Sequence, residues 1–208
     1  MINKELREYI EINILPKYQS LDLGHSGNHV HDVIEKSLEI ASDYDVNLNM
    51  VYTVAAFHDV GLIVERDKHH IIGAQMLYDD KFVNNFFTKE EILTMKEAVE
   101  DHRASSKNSP RSIYGKIVAE ADRSDTMDTI IERSILYRTK NNESFEVIYN
   151  DIYEHIKSKY GENGYLKVWL DTQYTRKMLS DIRALLNNPK AFKEHTKSIY
   201  DKIKNNYK

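Results

Sequence analysis

The amino-acid sequence predicts an all-α protein, and three observations lead to this fold class. Apolar residues recur at helical spacing, as Val30, Val33 and Ile34 do on one face of a predicted helix. No stretch shows the sustained alternation of apolar and polar residues that is typical of a half-buried strand. The 208 residues include only 3 Pro and 7 Gly, so few positions interrupt a helix or form a flexible linker. We therefore expect a single compact helical bundle spanning residues 1–208.

Helical periodicity, followed along the chain, predicts helices in order. They lie at about 3–15, 28–43, 48–59, 69–79, 89–103, 111–139, 144–158, 163–187 and 190–205. The stretch 111–139 is either one long helix or two helices that are divided near Asp122.

Turn and capping residues support several of these boundaries. Asn47 is suited to cap the third helix, and Gly61 follows the end of that helix. Thr88 and Glu91 have the spacing of a capping box, in which each side chain bonds to the other residue's backbone N–H. Pro189 fits the first turn of the last helix.

The composition excludes several kinds of protein and site. Cysteine is absent, so disulfides and a thiolate nucleophile are excluded, and any metal site must use imidazole and carboxylate groups. The N-terminus lacks the pattern of a secretion signal, and the longest apolar runs are only a few residues, so we expect a cytoplasmic protein without a membrane partner. The 29 Lys and Arg against 33 Asp and Glu argue against a nucleic-acid partner.

Histidines are concentrated in the first half of the chain, where seven of the nine lie between positions 25 and 102. His29 lies in the first turn of a predicted helix, and His58 and Asp59 end another helix in AAFHDVG. Asp122 lies in a later helix, in AEADRSD. Each of these residues alone is usually structural. Together, two imidazoles and two carboxylates form a ligand set that suits a divalent cation and leaves positions open for water and substrate.

Asp59 provides a second argument for a metal site. It follows the apolar segment AAF at the end of a helix with a buried face. A buried carboxylate without a partner is energetically costly, and a bound cation removes that cost. We therefore predict His29, His58, Asp59 and Asp122 as metal ligands.

These segments resemble the HD superfamily of metal-dependent phosphohydrolases, a helical fold with an early His, an adjacent His-Asp pair and a late Asp. The resemblance covers about residues 25–126 and is carried by HSGNHVHDVIEKSLEIA, TVAAFHDVG and AEADRSD. It implies that His29, the His58-Asp59 pair and Asp122 are ligands. It also implies a catalytic core at about 25–126. Residues from about 140 to 208 lie outside the resemblance, and their helical periodicity predicts a C-terminal helical extension.

Two further histidines fit the same family pattern. His69 stands four residues before Gly73 in HHIIGAQML, and His102 ends a helix in EAVEDHR. The resemblance implies that both contact a second metal or the substrate phosphate, so that His69, His102 and Asp59 form the predicted catalytic set. The alternative is that His69 is an exposed residue at a helix start and His102 a helix cap. His70 is a rival to His69 for the same role.

Three arginines are predicted to bind substrate, because planar guanidinium groups pair well with phosphate oxygens. They are Arg66, Arg103 and Arg123. Arg103 also begins a stretch without acidic residues that extends to Ala119. For Arg123, which directly follows a predicted ligand, a structural salt bridge is the alternative.

The resemblance implies hydrolysis of a small phosphate ester or nucleotide through a metal-activated water. The expected cofactor is a divalent cation (Mn, Fe, Co, Ni, Zn or Mg), with one ion or two, and the expected partner is a small phosphorylated substrate. Two other functions are open on the same scaffold, a di-iron oxygenase and a regulatory nucleotide-binding module. The sequence identifies neither the substrate, nor the metal, nor the oligomeric state.

Overall fold

A computed structural model describes residues 1–21, 27–103, 108–123, 125–139 and 144–206. Within these ranges the regular secondary structure is entirely helical, so the predicted all-α class is confirmed. Helices α1 to α10 are Lys4–Asn13, Gly27–Ala41, Leu48–Phe57, His69–Asp79, Lys89–Asp101, Ile113–Arg123, Met127–Arg138, Phe145–Tyr160, Gln173–Leu186 and Pro189–Asn206. Short 3-10 helices are Leu15–Ser20, Val60–Ile63 and Val83–Phe86.

The chain divides into two compact units, Met1–Arg123 and Ser124–Lys208. Helices α1 to α6 belong to the first unit, and α7 to α10 belong to the second. All of the predicted site residues lie in the first unit. The single-domain organisation inferred from the sequence stays a prediction.

The predicted stretch 111–139 is two helices, as one of its two readings anticipated. Helix α6 ends at Arg123 and α7 begins at Met127. The side chain of Thr126 accepts a hydrogen bond from the backbone N–H of Thr129, which caps the new helix. The separate start of α7 therefore has a local cause in the sequence.

The predicted helix at 163–187 is wrong over residues 163–172, because α9 begins only at Gln173. After α8 the chain folds back on itself, and the N–H groups of Tyr165 and Leu166 donate to the carbonyls of Ser158 and Lys159. These bonds satisfy two carbonyls of the last turn of α8, which have no partner within that helix because it ends at Tyr160.

The core of the first unit is built around α3, whose residues from Met50 to Phe57 are all buried. Helices α2, α4, α5 and α6 all contact it. A helix that is apolar on every face is stable only when neighbours cover it completely. Residues that directly follow Phe57 therefore start in the interior of this unit.

Two glycines bring the end of α3 against the start of α4. A Cβ atom added to Gly61 would lie 2.1 Å from the carbonyl oxygen of His69 and 2.7 Å from the backbone nitrogen of Gly73. A Cβ atom added to Gly73 would lie 2.9 Å from the carbonyl oxygen of Phe57. Only glycine allows this close backbone approach, which sets the His58-Asp59 pair beside His69.

The second unit has its own apolar core. Its fully buried side chains include Ile131, Ile135, Ile152, Ile156, Ile182 and Phe192. Among the described helices of either unit, none is long and apolar enough to cross a bilayer.

Candidate metal centre

Three helices bring the four predicted ligands together. His29 lies in the first turn of α2, His58 and Asp59 follow α3, and Asp122 is near the end of α6. The Nε2 atom of His29 is 3.1 Å from Asp122 Oδ1. The Nε2 atom of His58 is 3.5 Å from Asp59 Oδ2 and 3.8 Å from Asp122 Oδ1. We call these four residues the first ligand group.

The spacing within the first ligand group suits a metal ion. Ligand atoms at about 2.1 Å from one ion lie about 3.0 Å apart at right angles and about 4.2 Å apart on opposite sides. Distances from 3.1 Å, between His29 and Asp122, to 4.0 Å, between His29 and Asp59, fall in this range.

A second ligand group consists of Asp59, His69 and His102. The Nε2 atoms of His69 and His102 are each 3.3 Å from Asp59 Oδ1. This is the other oxygen of the carboxylate, because the closest contacts of His29 and His58 with Asp59 are to Oδ2. Asp59 therefore belongs to both groups and presents one oxygen to each.

The histidine beside Asp59 is His69, while its rival His70 is absent from both groups. His102 is at once the C-cap residue of α5 and a member of the second group. Its side chain is almost completely buried, with 1% exposed. Capping and facing the centre are therefore compatible roles for His102, not alternatives.

The imidazole rings are held by their other nitrogen. In three histidines, Nδ1 lies 2.6 to 2.7 Å from the carbonyl oxygen of the residue three positions earlier. The pairs are His58 with Ala55, His69 with Arg66, and His102 with Val99. A carbonyl oxygen can only accept, so Nδ1 carries a proton, and in the neutral ring Nε2 presents its lone pair to the centre.

The buried ring nitrogen Nε2 of His58 makes no hydrogen bond within the described part of the chain. His58 is fully buried, and its Nε2 atom has no hydrogen-bond partner among the described residues. An unsatisfied buried polar atom is costly. Coordination of a cation would satisfy this nitrogen, which is the observation that best fits the residues to a metal.

The electrostatic environment favours positive charge at the centre. Burial alone would lower the pKa of His58, but Asp59 and Asp122 outweigh it and raise that pKa to about 9. Burial would raise the pKa of both carboxyl groups, yet the facing histidines hold them well below their usual range. For His69, burial dominates and lowers the pKa to about 4. Ionised carboxylates and a neutral His69 are the forms that bind a divalent cation.

Two of the predicted substrate-binding arginines lie near the second ligand group. The guanidinium group of Arg103 donates to the carbonyl oxygen of Asp67, 3.3 Å away, two residues before His69. The pKa of His70 is lowered mainly because His70 is partly buried, and the positive charge of Arg103 lowers it further. Arg66 is exposed, and its backbone carbonyl accepts the proton of His69.

Arg123 lies in a different setting. It is buried, its Nε donates to the carbonyl oxygen of Ala119, and its guanidinium group is 3.7 Å from the buried Glu120. This contact is the salt bridge that the sequence left open as an alternative. The substrate-binding role of Arg123 stays a prediction.

Arg111 does not add free positive charge to the stretch without acidic residues. Its guanidinium group pairs with Glu97, Glu100 and Asp101 of α5. Its backbone N–H also donates to Asp101. Its charge is therefore balanced within the protein.

Tyr18 is a residue of the site that the sequence did not reveal. It is fully buried, and its hydroxyl group contacts the backbone of Asp59 and of Ala56. Tyr18 precedes every segment that resembles the HD superfamily, and LPKYQS has no motif that would single it out.

Comparison with known proteins gives a family match over the part of the chain that carries the two ligand groups. Residues 27–127 match the model of the HD domain. This segment is thus an HD domain. A crystal structure of a protein from Lactobacillus plantarum has a similar fold, with a TM-score of 0.62, 21% identity, and coverage of 97% of this chain and 99% of that chain. No curated protein matched the chain.

Proposed function

We propose that this protein is a metal-dependent phosphohydrolase that acts on a small phosphate ester or nucleotide and uses two divalent cations. The observation that carries the proposal is the division of the Asp59 oxygens between two ligand groups. One carboxylate shared in this way is suited to bridge two cations. HD-domain proteins are in general metal-dependent phosphohydrolases, which supports the same reaction class.

The ligand set is consistent with hydrolysis. His29, His58, Asp59 and Asp122 would hold one cation, and His69 and His102 would hold the other together with Asp59. Bound divalent cations lower the pKa of water and neutralise charge on a phosphoryl group. Mn, Fe, Co, Ni, Zn and Mg all accept imidazole or carboxylate ligands of this kind.

The side chains themselves orient the reacting groups. The carbonyl contacts at Nδ1 fix the rings of His58, His69 and His102, so little reorganisation accompanies binding. Arg103 is held beside the second ligand group and would bind phosphate oxygens from that side. Arg66 is exposed and would also bind phosphate oxygens, at the solvent-facing edge of the second ligand group.

A screen of phosphorylated metabolites tests the proposal. Each metabolite would be incubated with the protein in the presence of each of the six metals, and phosphate or pyrophosphate release would be measured. We expect release from at least one small ester or nucleotide, lost in the Asp59→Asn variant and kept in Asp43→Asn, which alters an exposed carboxylate. Release that is equal in all three proteins would refute it.

A di-iron oxygenase is the second candidate, because four histidines and two aspartates, one of them shared by both ligand groups, also suit iron. Protein loaded anaerobically with Fe(II) would be exposed to oxygen and followed by absorption spectroscopy and oxygen uptake. Oxygen consumption coupled to turnover of an organic substrate, without phosphate release in the screen, would favour the oxygenase.

A further inference from the structure

The end of α3 is held by a residue from outside the matched HD domain. Tyr18 lies in the 3-10 helix Leu15–Ser20, whereas the family match begins at residue 27. Its ring is buried, with its centroid 6.4 Å from that of His58. Its hydroxyl donates to the carbonyl of Ala56 at 3.0 Å and accepts from the backbone N–H of Asp59 at 3.2 Å.

These two bonds act where the helix changes course. Asp59 has φ −111° and ψ 3°, outside the α-helical region, and it links α3 to the 3-10 helix Val60–Ile63. Carbonyls at a helix end lack helical partners and must be satisfied in another way. The ring N–H of His58 donates to the carbonyl oxygen of Ala55, and the hydroxyl of Tyr18 donates to that of Ala56. The hydroxyl of Tyr18 thus connects the last turn of α3 to Asp59, which follows that helix.

The orientation of Asp59 depends on this turn. Its two oxygens must face opposite ligand groups, with contacts of 3.5 Å to His58 and 3.3 Å to His69. A rotation of its backbone would move both oxygens together. The hydrogen bond that fixes the backbone N–H of Asp59 therefore affects the position of the carboxylate in both ligand groups.

We propose that the Tyr18 hydroxyl is a positioning group for the metal centre, which fixes the backbone of Asp59 so that its carboxylate can serve both ligand groups. The inference rests on the proposed metal centre. Tyr18 acts through Asp59 and contacts neither metal nor substrate.

The test compares Tyr18→Phe with Tyr9→Phe. Both variants keep the ring and lose one hydroxyl, but Tyr9 donates to Asp80, away from the ligand groups. Cobalt(II) would be titrated into each protein and followed by calorimetry and by its visible absorption spectrum. We expect Tyr18→Phe to raise the Kd about 10- to 100-fold, as for other groups that orient a ligand, and to change the cobalt spectrum. Tyr9→Phe should match the wild type in both.

Two results would overturn the inference in different ways. If the wild type binds cobalt and Tyr18→Phe binds it with the same Kd and spectrum, Tyr18 is only a structural residue. If the wild type itself binds no cobalt, the metal centre and the proposed function fail as well. A lower melting temperature in Tyr18→Phe with unchanged cobalt binding counts against the proposal.

A measurement on the wild type covers the case in which Tyr18→Phe does not fold. Proton NMR of the intact protein should show a slowly exchanging Tyr18 hydroxyl resonance with a nuclear Overhauser contact to the Asp59 amide proton. A Tyr18 hydroxyl that exchanges freely and lacks this contact would contradict the proposed role.

Discussion

Asp59 links the two ligand groups, since both of its oxygens face histidine nitrogens. His102 and His69 approach Oδ1 at 3.3 Å, while His58 approaches Oδ2 at 3.5 Å. The side chain is buried, with 5% of the residue exposed. Loss of its charge would weaken both groups at once.

Asp59→Asn is predicted to lose metal binding and phosphate release while the helical fold remains. The amide keeps the shape of the carboxylate but carries no charge and offers only one acceptor oxygen. Activity should fall by more than about 100-fold, the upper end of the loss for residues that merely support a ligand. Phosphate-release kinetics and circular dichroism check the two parts. An active Asp59→Asn protein would remove Asp59 from the mechanism.

His102→Ala is predicted to reduce the metal content from two ions per chain to one. His102 belongs only to the second ligand group, so the four residues of the first group stay complete. Elemental analysis after dialysis against excess Mn measures the content. His195→Ala is the control, because His195 pairs with Asp128 in the second unit and should leave two ions bound. Equal metal content in both variants would show that His102 is not a ligand.

For single residues, the sequence predicts which side chains lie together in the site but not which atoms of those side chains contact one another. The spacing of His29, the His58-Asp59 pair and Asp122 was sufficient to propose one site. Neither the division of the Asp59 oxygens nor the contact with Tyr18 is visible in the sequence, because each depends on side-chain orientation. The buried salt bridge between Arg123 and Glu120 likewise depends on side-chain orientation, so the sequence allows it without requiring it.

Among the elements, the passage from α3 to α4 determines the geometry of the centre. Helix α3 is buried from Met50 to Phe57, and the Gly61 and Gly73 backbones are in close contact. This contact brings the His58-Asp59 pair from one helix and His69 from the next to the same point. The two ligand groups therefore depend on a close backbone approach.

Gly61→Ala is predicted to destabilise the protein by about 3 kcal/mol or more, at the upper end for overpacking. The new methyl group would lie 2.1 Å from the carbonyl oxygen of His69, and backbone atoms must move to accept it. Urea unfolding measures the loss. Gly115→Ala is the control, since its nearest contact is a side-chain atom of Pro110 at 3.0 Å. A smaller loss in Gly61→Ala than in Gly115→Ala would contradict the close packing described above.

Helix boundaries were predictable where a local signal exists. The capping box of Thr88 and Glu91 is present as the sequence predicted, and Asn47 caps α3. The error at 163–172 has a different origin. There the chain bonds back to the end of α8, and apolar periodicity does not reveal such a return.

At the scale of the whole molecule, every proposed ligand lies in the first of the two units. The first and last ligands, His29 and Asp122, both precede the boundary after Arg123. The second unit has a separate apolar core in which Ile152 is fully buried. The C-terminal helical extension that the sequence predicts at about 140–208, without a role, stays a prediction.

Ile152→Ala is therefore predicted to lower stability without changing metal affinity. Truncation of a buried isoleucine costs about 2 to 5 kcal/mol, whereas Val147→Ala on the same helix should cost much less, because Val147 is 51% exposed. Urea unfolding and manganese calorimetry are measured on both variants. A weaker Kd for Mn in Ile152→Ala alone would show that the second unit contributes to the centre.

The most direct test of the proposed metal centre is anomalous X-ray diffraction from crystals of the protein grown at saturating Mn(II). Two anomalous peaks are expected, one at coordination distance from Asp59 Oδ2 and the first ligand group, the other at coordination distance from Asp59 Oδ1, His69 and His102. The absence of any peak near Asp59 in crystals grown at saturating Mn(II) would contradict the metal centre. A single peak that touches only the first group would contradict the bridging role of Asp59.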